Sequence, residues 1–187
     1  MALLRDWQRV HNLVSRSTLD DLWTRHVADS LQLVPHAPEF RDWVDLSSGA
    51  GFPGLIVAIA SKADTSRRFT LVESNLKKAA FLRAAILTVD VNAVVAAERA
   101  EEHGRKMAGQ ADVLSARALA PMDALLGLAA PYLHADSLVL LLKGQDFVHE
   151  HEIASKSWNY DMLASQSTTD PGGRILAIRN LSTRVHP

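Results

Sequence analysis

Apolar residues recur at helical spacing from the start of the chain. Leu3, Leu4, Trp7, Val10 and Leu13 share one face, and Leu19, Leu22, Trp23, Val27 and Leu31 share another. This predicts two N-terminal helices, the second capped by Thr18, with Asp20 and Asp21 at its positive end, and closed by Pro35. From Asp42 the period changes. Short apolar runs at 43–46, 69–73, 91–96, 111–116 and 137–143 alternate with helical stretches at 53–61, 76–89, 101–107, 121–133 and 147–156. Strands separated by single helices predict a parallel sheet covered on both faces. The runs 158–166 and 174–181, joined by Thr169-Asp170-Pro171-Gly172-Gly173, predict a closing antiparallel β-hairpin. The expectation is one α/β domain over residues 1–187, with a helical cap at 1–35 and a Rossmann-like, mostly parallel seven-stranded core at 42–187.

Between the first strand and its helix lies Asp45-Leu46-Ser47-Ser48-Gly49-Ala50-Gly51-Phe52-Pro53-Gly54. Its glycines permit positive φ and close approach of a ligand to the backbone, and Glu73 follows at the distance expected of a ribose-binding acid. The letters Gly-x-Gly-x-x-Gly fit a dinucleotide, but Pro53 removes a donor from the helix start and Asp45 adds negative charge. Both features favour the cationic end of S-adenosylmethionine over a pyrophosphate. A tight turn with no ligand, and an NAD-dependent oxidoreductase, remain as alternatives. Against the oxidoreductase also stands the terminal hairpin in place of a second βαβ half.

Composition narrows the chemistry. The 187 residues contain no cysteine, which excludes thiolate catalysis, disulfides and cysteine zinc sites. The eight histidines are scattered, and His149 and His151, alternating with Glu150 and Glu152, read as a solvated helix face, so no metal is expected. A net charge of −1 limits any nucleic-acid contact to a local patch. Neither a signal peptide nor a membrane span is indicated, so a cytoplasmic protein, acting as a monomer, is expected.

Ligands of such sheets bind at the carboxyl ends of the strands. Those ends carry Asp45, Glu73, Arg99-Ala100-Glu101, Ser115-Ala116-Arg117 and Lys143-Gly144-Gln145. Arg25 and His26 in the cap, Lys77 and Lys78 on the helix 76–89, and Lys143 are candidate phosphate contacts. The four tryptophans read as core.

Several of these pieces occur together: Arg25-His26-Val27-Ala28-Asp29-Ser30-Leu31, Ser48-Gly49-Ala50-Gly51-Phe52-Pro53-Gly54, Leu71-Val72-Glu73-Ser74, Lys77-Lys78-Ala79-Ala80-Phe81-Leu82-Arg83, Arg99-Ala100-Glu101, Ser115-Ala116-Arg117-Ala118 and Leu142-Lys143-Gly144. In this order, across nearly the whole chain, the sequence resembles the bacterial small-subunit ribosomal RNA guanine-N7 methyltransferase family, also called glucose-inhibited division protein B. The resemblance implies a class I methyltransferase that binds S-adenosylmethionine and methylates N7 of a guanine in 16S ribosomal RNA, giving 7-methylguanosine. It implies donor contacts from Gly49, Gly51, Phe52, Ala100, Glu101 and Arg117, beside Asp45, Ser47 and Glu73. The family usually carries glycine where this chain has Ser47, and its members commonly begin with a further N-terminal segment. On the ground of Ser47 alone, a non-catalytic RNA-binding relative is a further alternative. Guanine N7 has an in-plane lone pair and no proton, so no general base is expected, with Arg117 and Lys143 positioning the substrates.

Overall fold

The computed structural model describes residues 1–15, 19 and 21–184. The core follows the expected alternation. Strands β1 (Asp42–Leu46), β2 (Arg68–Val72), β3 (Ala93–Ala96), β4 (Ala111–Arg117), β5 (Leu133–Lys143), β6 (Trp158–Gln166) and β7 (Arg174–Thr183) form one sheet of order β3-β2-β1-β4-β5-β7-β6. Strands β1 to β5 pair in parallel, whereas β7 runs antiparallel between β5 and β6. Helices α3 (Gly54–Ala60), α4 (Leu76–Val89), α5 (Ala100–Lys106), α6 (Met122–Ala129) and α7 (Phe147–Ser157) make the connections.

Central strands buried on both faces are nearly continuous in apolar residues, as in Leu138-Val139-Leu140-Leu141-Leu142, and they separate two cores. One core holds Val44, Leu46, Leu114, Ala116, Met122, Leu126, Tyr132 and Leu141. The other holds Leu33, Trp43, Val57, Phe69, Val113 and Leu140. A third cluster joins the cap to the glycine loop after β1, with Leu4, Leu13, Leu22 and Val27 packed on Ala50, Phe52, Leu55, Phe81 and Leu82. Among the described residues, no helix is long and apolar enough to cross a membrane.

The N-terminal region departs from its periodicity. Helix α1 (Ala2–Gln8) stops early because the Gln8 amide accepts from the Leu13 and Val14 N–H groups and donates to the Val14 carbonyl, a local alternative to further helix. Val10 is consequently 77% exposed. The second helix is a π-helical turn, Trp23–Ala28, continued by one α-helical turn, α2 (Asp29–Leu31), and a 3₁₀ turn through Pro35. A π-turn is wider than 3.6 residues, so side chains drift off the apolar stripe. Trp23, expected in the core, is 66% exposed, and Leu31 also faces out. The expected cap Thr18, with Asp20, lies outside the described residues. Trp43 is fully buried, with Trp7 and Trp158 partly so.

Candidate functional site

Strand register lines up the expected residues along one edge. Leu46 lies opposite Val72 on one side and Ala116 on the other; Val72 lies opposite Ala96, and Arg117 opposite Leu142. The carboxyl ends bearing Asp45, Glu73, Arg117 and Lys143 are therefore neighbours, with the start of α5 beyond Glu73.

The loop after β1 is built under constraint. Gly49 and Gly51 adopt φ of +56° and +89°, and Ser47 adopts +55°, a conformation that costs an L-residue with a Cβ. A Cβ on Gly54 would come within 2.4 Å of the Asp45 Cβ, and one on Gly51 within 2.8 Å of the Leu55 Cβ. Gly54 is dictated by the packing of α3 on β1 and β2, and Gly51 by its positive φ and the Leu55 side chain. At Gly49 an added Cβ would meet only the Ser47 carbonyl, at 3.8 Å, so there the backbone stands open.

Two carboxylates bracket this loop. Glu73, only 5% exposed, accepts from the Gly49 N–H at 2.9 Å and from the Asn75 N–H at 2.7 Å. Each oxygen keeps a second lone pair for a hydroxyl donor. Asp45 is fully buried beneath the loop. Its Oδ1 accepts from the Ser115 hydroxyl at 2.5 Å, which in turn accepts from the Trp43 indole N–H at 2.8 Å. Its Oδ2 has no hydrogen-bond partner among the described residues. Burial pushes the Asp45 carboxyl up to about 6, against the opposing influence of Ser115, Ser48, the Gly54 amide and Arg117. A buried acid with one orphaned oxygen, set under an open glycine backbone, fits a ligand that brings positive charge.

The cap reaches this edge through Arg117. Its guanidinium donates to the Arg25 carbonyl at 3.0 Å and to His26 Nδ1 at 2.8 Å, and it pairs with Asp29 at 3.5 Å. Arginine only donates, so Nδ1 carries no proton, and the imidazole is neutral. Burial, then Arg117 and Arg25, hold the His26 pKa down to about 4. The ring stacks on Phe52, 4.8 Å between centroids and 18° between planes, with the Arg117 guanidinium 5.4 Å from the Phe52 centroid. His26 is thus not the phosphate-binding cation expected of it, and Phe52, 6% exposed, serves as the floor of the cap.

A cavity of about 550 Å³ opens beside Arg117. Its wall includes Arg25, Asp29, Lys143, Glu150, Asp170 and the turn after β4. Glu73, Ala100 and Glu101 do not line it, and lie at the other half of the edge. Ala100 and Glu101 open α5, where first-turn N–H groups lack intrahelical partners. The Ala100 carbonyl accepts from the Tyr132 hydroxyl at 2.8 Å.

Lys143 also differs from expectation. Its side chain is 9% exposed, and its ammonium donates to the Ala120 carbonyl at 2.7 Å and to Glu150 Oε2 at 2.6 Å. A lysine so held is a strut, not a mobile phosphate contact. Glu150, which periodicity assigned to a solvated helix face, is instead a wall of the cavity; the only sequence signal was its place in the first turn of α7 behind Lys143-Gly144. Asp29 was likewise missed as a partner of Arg117, although it stands in the Arg25-His26-x-x-Asp29 run. Gln32 joins the cap to the hairpin turn, donating to Asp29, Ser167 and Thr169 and accepting from the Thr168 N–H at 2.7 Å. Arg25 pairs with Asp170 at 3.4 Å and remains half exposed. Lys77 and Lys78 lie in the first turn of α4, the former exposed and the latter partly so. Among the described residues, no three His, Asp or Glu side chains are grouped to hold a metal ion.

Known proteins resemble this chain in sequence and in fold. Residues 1–179 match the family described as rRNA small subunit methyltransferase G. The protein named ribosomal RNA small subunit methyltransferase G from Cereibacter sphaeroides is 44% identical over 184 residues, covering 97% of this chain and 88% of its own. Its namesake from Nitrobacter hamburgensis is 42% identical over 185 residues, covering 99% and 71%. Among solved structures, a methyltransferase from Geobacter sulfurreducens shares the fold with a TM-score of 0.63 at 13% identity, over 95% of this chain and 86% of that one.

Proposed function

The chain belongs to the rRNA small subunit methyltransferase G family, and on that premise we propose that it transfers the methyl group of S-adenosylmethionine to N7 of one guanine in 16S ribosomal RNA. The observation that carries the choice of donor is the pair of carboxylates, Asp45 and Glu73, around a glycine loop whose helix start is blocked by Pro53. That charge pattern suits a sulfonium and ammonium and repels a pyrophosphate, which sets aside the NAD-dependent reading.

When bound, S-adenosylmethionine supplies an electrophilic methyl group. Glu73 would hold the ribose hydroxyls through its remaining lone pairs, and Asp45 would complement the cationic end from below. Gly49 would give backbone access, and the first-turn N–H groups at Ala100 and Glu101 would face the base. Gly51, Phe52 and Ser47 shape the turn, and Arg117 couples it to the cap. The chain's remaining work is orientation: alignment of the acceptor base at about 3–3.5 Å from the methyl, with water excluded, lowers the barrier substantially with no proton abstraction from N7. Arg25, Lys77 and Lys78 are the cations available to the phosphate backbone. Ribosomal RNA as substrate implies work in the cytoplasm, with the chain acting as a monomer.

The test is transfer of a tritiated methyl group to 16S ribosomal RNA, naked or in small subunits, followed by digestion to nucleosides. The label is expected in 7-methylguanosine and nowhere else. Label in another nucleoside, or a protein that binds NAD in place of S-adenosylmethionine in calorimetry, would contradict the proposal.

A further inference from the structure

Glu150 lines the cavity beside Arg117 and, among the described residues, is the only carboxylate of its wall held by a single oxygen. Oε2 takes both the Lys143 ammonium, at 2.6 Å, and the Met122 N–H, at 2.7 Å. Oε1 has no partner among the described residues, and the side chain, which lines the cavity, is 25% exposed. Asp29 is committed differently: Oδ1 to Gln32 and Thr169, Oδ2 to Arg117. Asp170 accepts from the Gly172 N–H and pairs with Arg25. Lys143, at the end of β5, also holds the Ala120 carbonyl in the turn after β4, so Glu150 is fixed to both walls at once. A carboxylate immobilised on one oxygen and open on the other is a directional acceptor.

We propose that Glu150 reads the acceptor base, its Oε1 accepting from the N1–H and 2-amino groups of guanine in the cavity, with Lys143 as the residue that positions it. The inference rests on the methyl-transfer reading above. Guanine's edges make the geometry coherent, because N7 lies on the Hoogsteen edge, separated by O6 from the N1–H and 2-amino donors of the Watson–Crick edge. A base gripped by its N1–H and 2-amino groups at α7 keeps N7 free of that contact and available to the methyl group. Adenine presents a lone pair at N1 where guanine presents a hydrogen, so a fixed carboxylate there repels it. A cavity of about 550 Å³ has room for one base with its sugar. Extrusion of the base into such a pocket, read by hydrogen bonds to its Watson–Crick edge, is the general route by which enzymes act on single bases.

The experiment pairs a protein change with a base change. Single-turnover kcat/KM would be measured for wild type and Glu150→Gln on RNA carrying guanine or inosine at the methylated position, in whichever form, naked or assembled, the wild type methylates. Inosine lacks only the 2-amino group. Wild type should lose at least about tenfold on inosine, because a polar partner is left unpaired. Glu150→Gln, which keeps an oxygen for Lys143 and Met122, should lose at least as much on guanine and little more on inosine, with donor affinity unchanged. Lys143→Met, which leaves the carboxylate but frees it, should narrow the guanine-to-inosine ratio even if Glu150→Gln folds poorly. Equal inosine penalties in wild type and both variants would overturn the inference while leaving methyl transfer intact. A wild type that labels no guanine would instead overturn the function on which it rests.

Discussion

Ser47 holds a φ of +55° with a Cβ in place, at the turn where the ligand-facing backbone begins. Glycine there removes a cost of about 1 kcal/mol, so Ser47→Gly should raise the unfolding temperature by about 2–4 °C and leave the loop conformation unchanged. A lower unfolding temperature would show that the Ser47 side chain makes a contact worth more than the strain. Glu73 has a double task, since it brackets Gly49 and Asn75. Glu73→Ala should therefore weaken donor binding and also destabilise the fold by about 1–3 kcal/mol, as two part-buried N–H groups lose their acceptor. Denaturant titration reads the second effect, and an unchanged midpoint would contradict it.

Asp45 and His26 lie on opposite sides of a linkage. Between pH of about 4 and 6 folded Asp45 keeps a proton that the unfolded chain has released, so its contribution falls as pH rises through that window. Folded His26, with its pKa near 4, lacks a proton that the unfolded chain gains below 6.5, so its contribution falls as pH drops. The two oppose each other in wild type. Asp45→Asn should unmask the histidine, making the variant lose stability toward pH 4 more steeply than wild type, by up to about 3 kcal/mol. Parallel stability curves for the two proteins would rule out a raised Asp45. Little of this was legible in the sequence. Asp45, Glu73 and Arg117 could be placed by strand ends and spacing, but what burial does to Asp45, and what Lys143 and Glu150 do to each other, depends on which strand lies beside which.

At the scale of elements, the cap is fastened to the catalytic edge by Arg117, His26 and Phe52, and to the hairpin turn by Gln32. These connections explain why Arg117, expected to position the substrates, is largely occupied, and why the expected phosphate cations divide into two groups. Arg25, Lys77 and Lys78 can meet phosphate, whereas His26 is neutral and Lys143 is locked to Glu150. Replacing Arg25, Lys77 and Lys78 with alanine should reduce the salt dependence of RNA binding by about one unit of slope per residue, with donor binding unaltered. His26→Ala should leave the slope as it was; a reduction there would show a charged imidazole. Helix α4 spans the expected residues 76–89, though Leu76 and Leu87 within it are 70% and 82% exposed. The Trp23–Ala28 segment could not be read the same way, because its period is that of a π-turn and its environment is set by Arg117, 91 residues away from His26 in sequence.

At the scale of the whole molecule, strand order β3-β2-β1-β4-β5-β7-β6 puts the carboxylates on one half of a single edge and the base-sized cavity on the other. Alternation of strands and helices made this sheet legible from sequence, because parallel strands need helical crossovers and a Gly-rich turn marks the first of them. The cavity was not legible, since its wall comes from the cap, the turn after β4, α7 and the hairpin turn. The division of the edge is the basis of the central claim: methyl transfer here is a matter of alignment, with no group abstracting a proton from N7. The most direct measurement is the pH profile of single-turnover methylation with both substrates saturating. The rate should be nearly constant from about pH 7 to 9, with any decline confined to pH near and below 6, where Asp45 takes up its proton. A rate that rises steadily with pH across 7 to 9, and becomes flat when one histidine or carboxylate of the edge is replaced, would contradict the account and identify that residue as a general base.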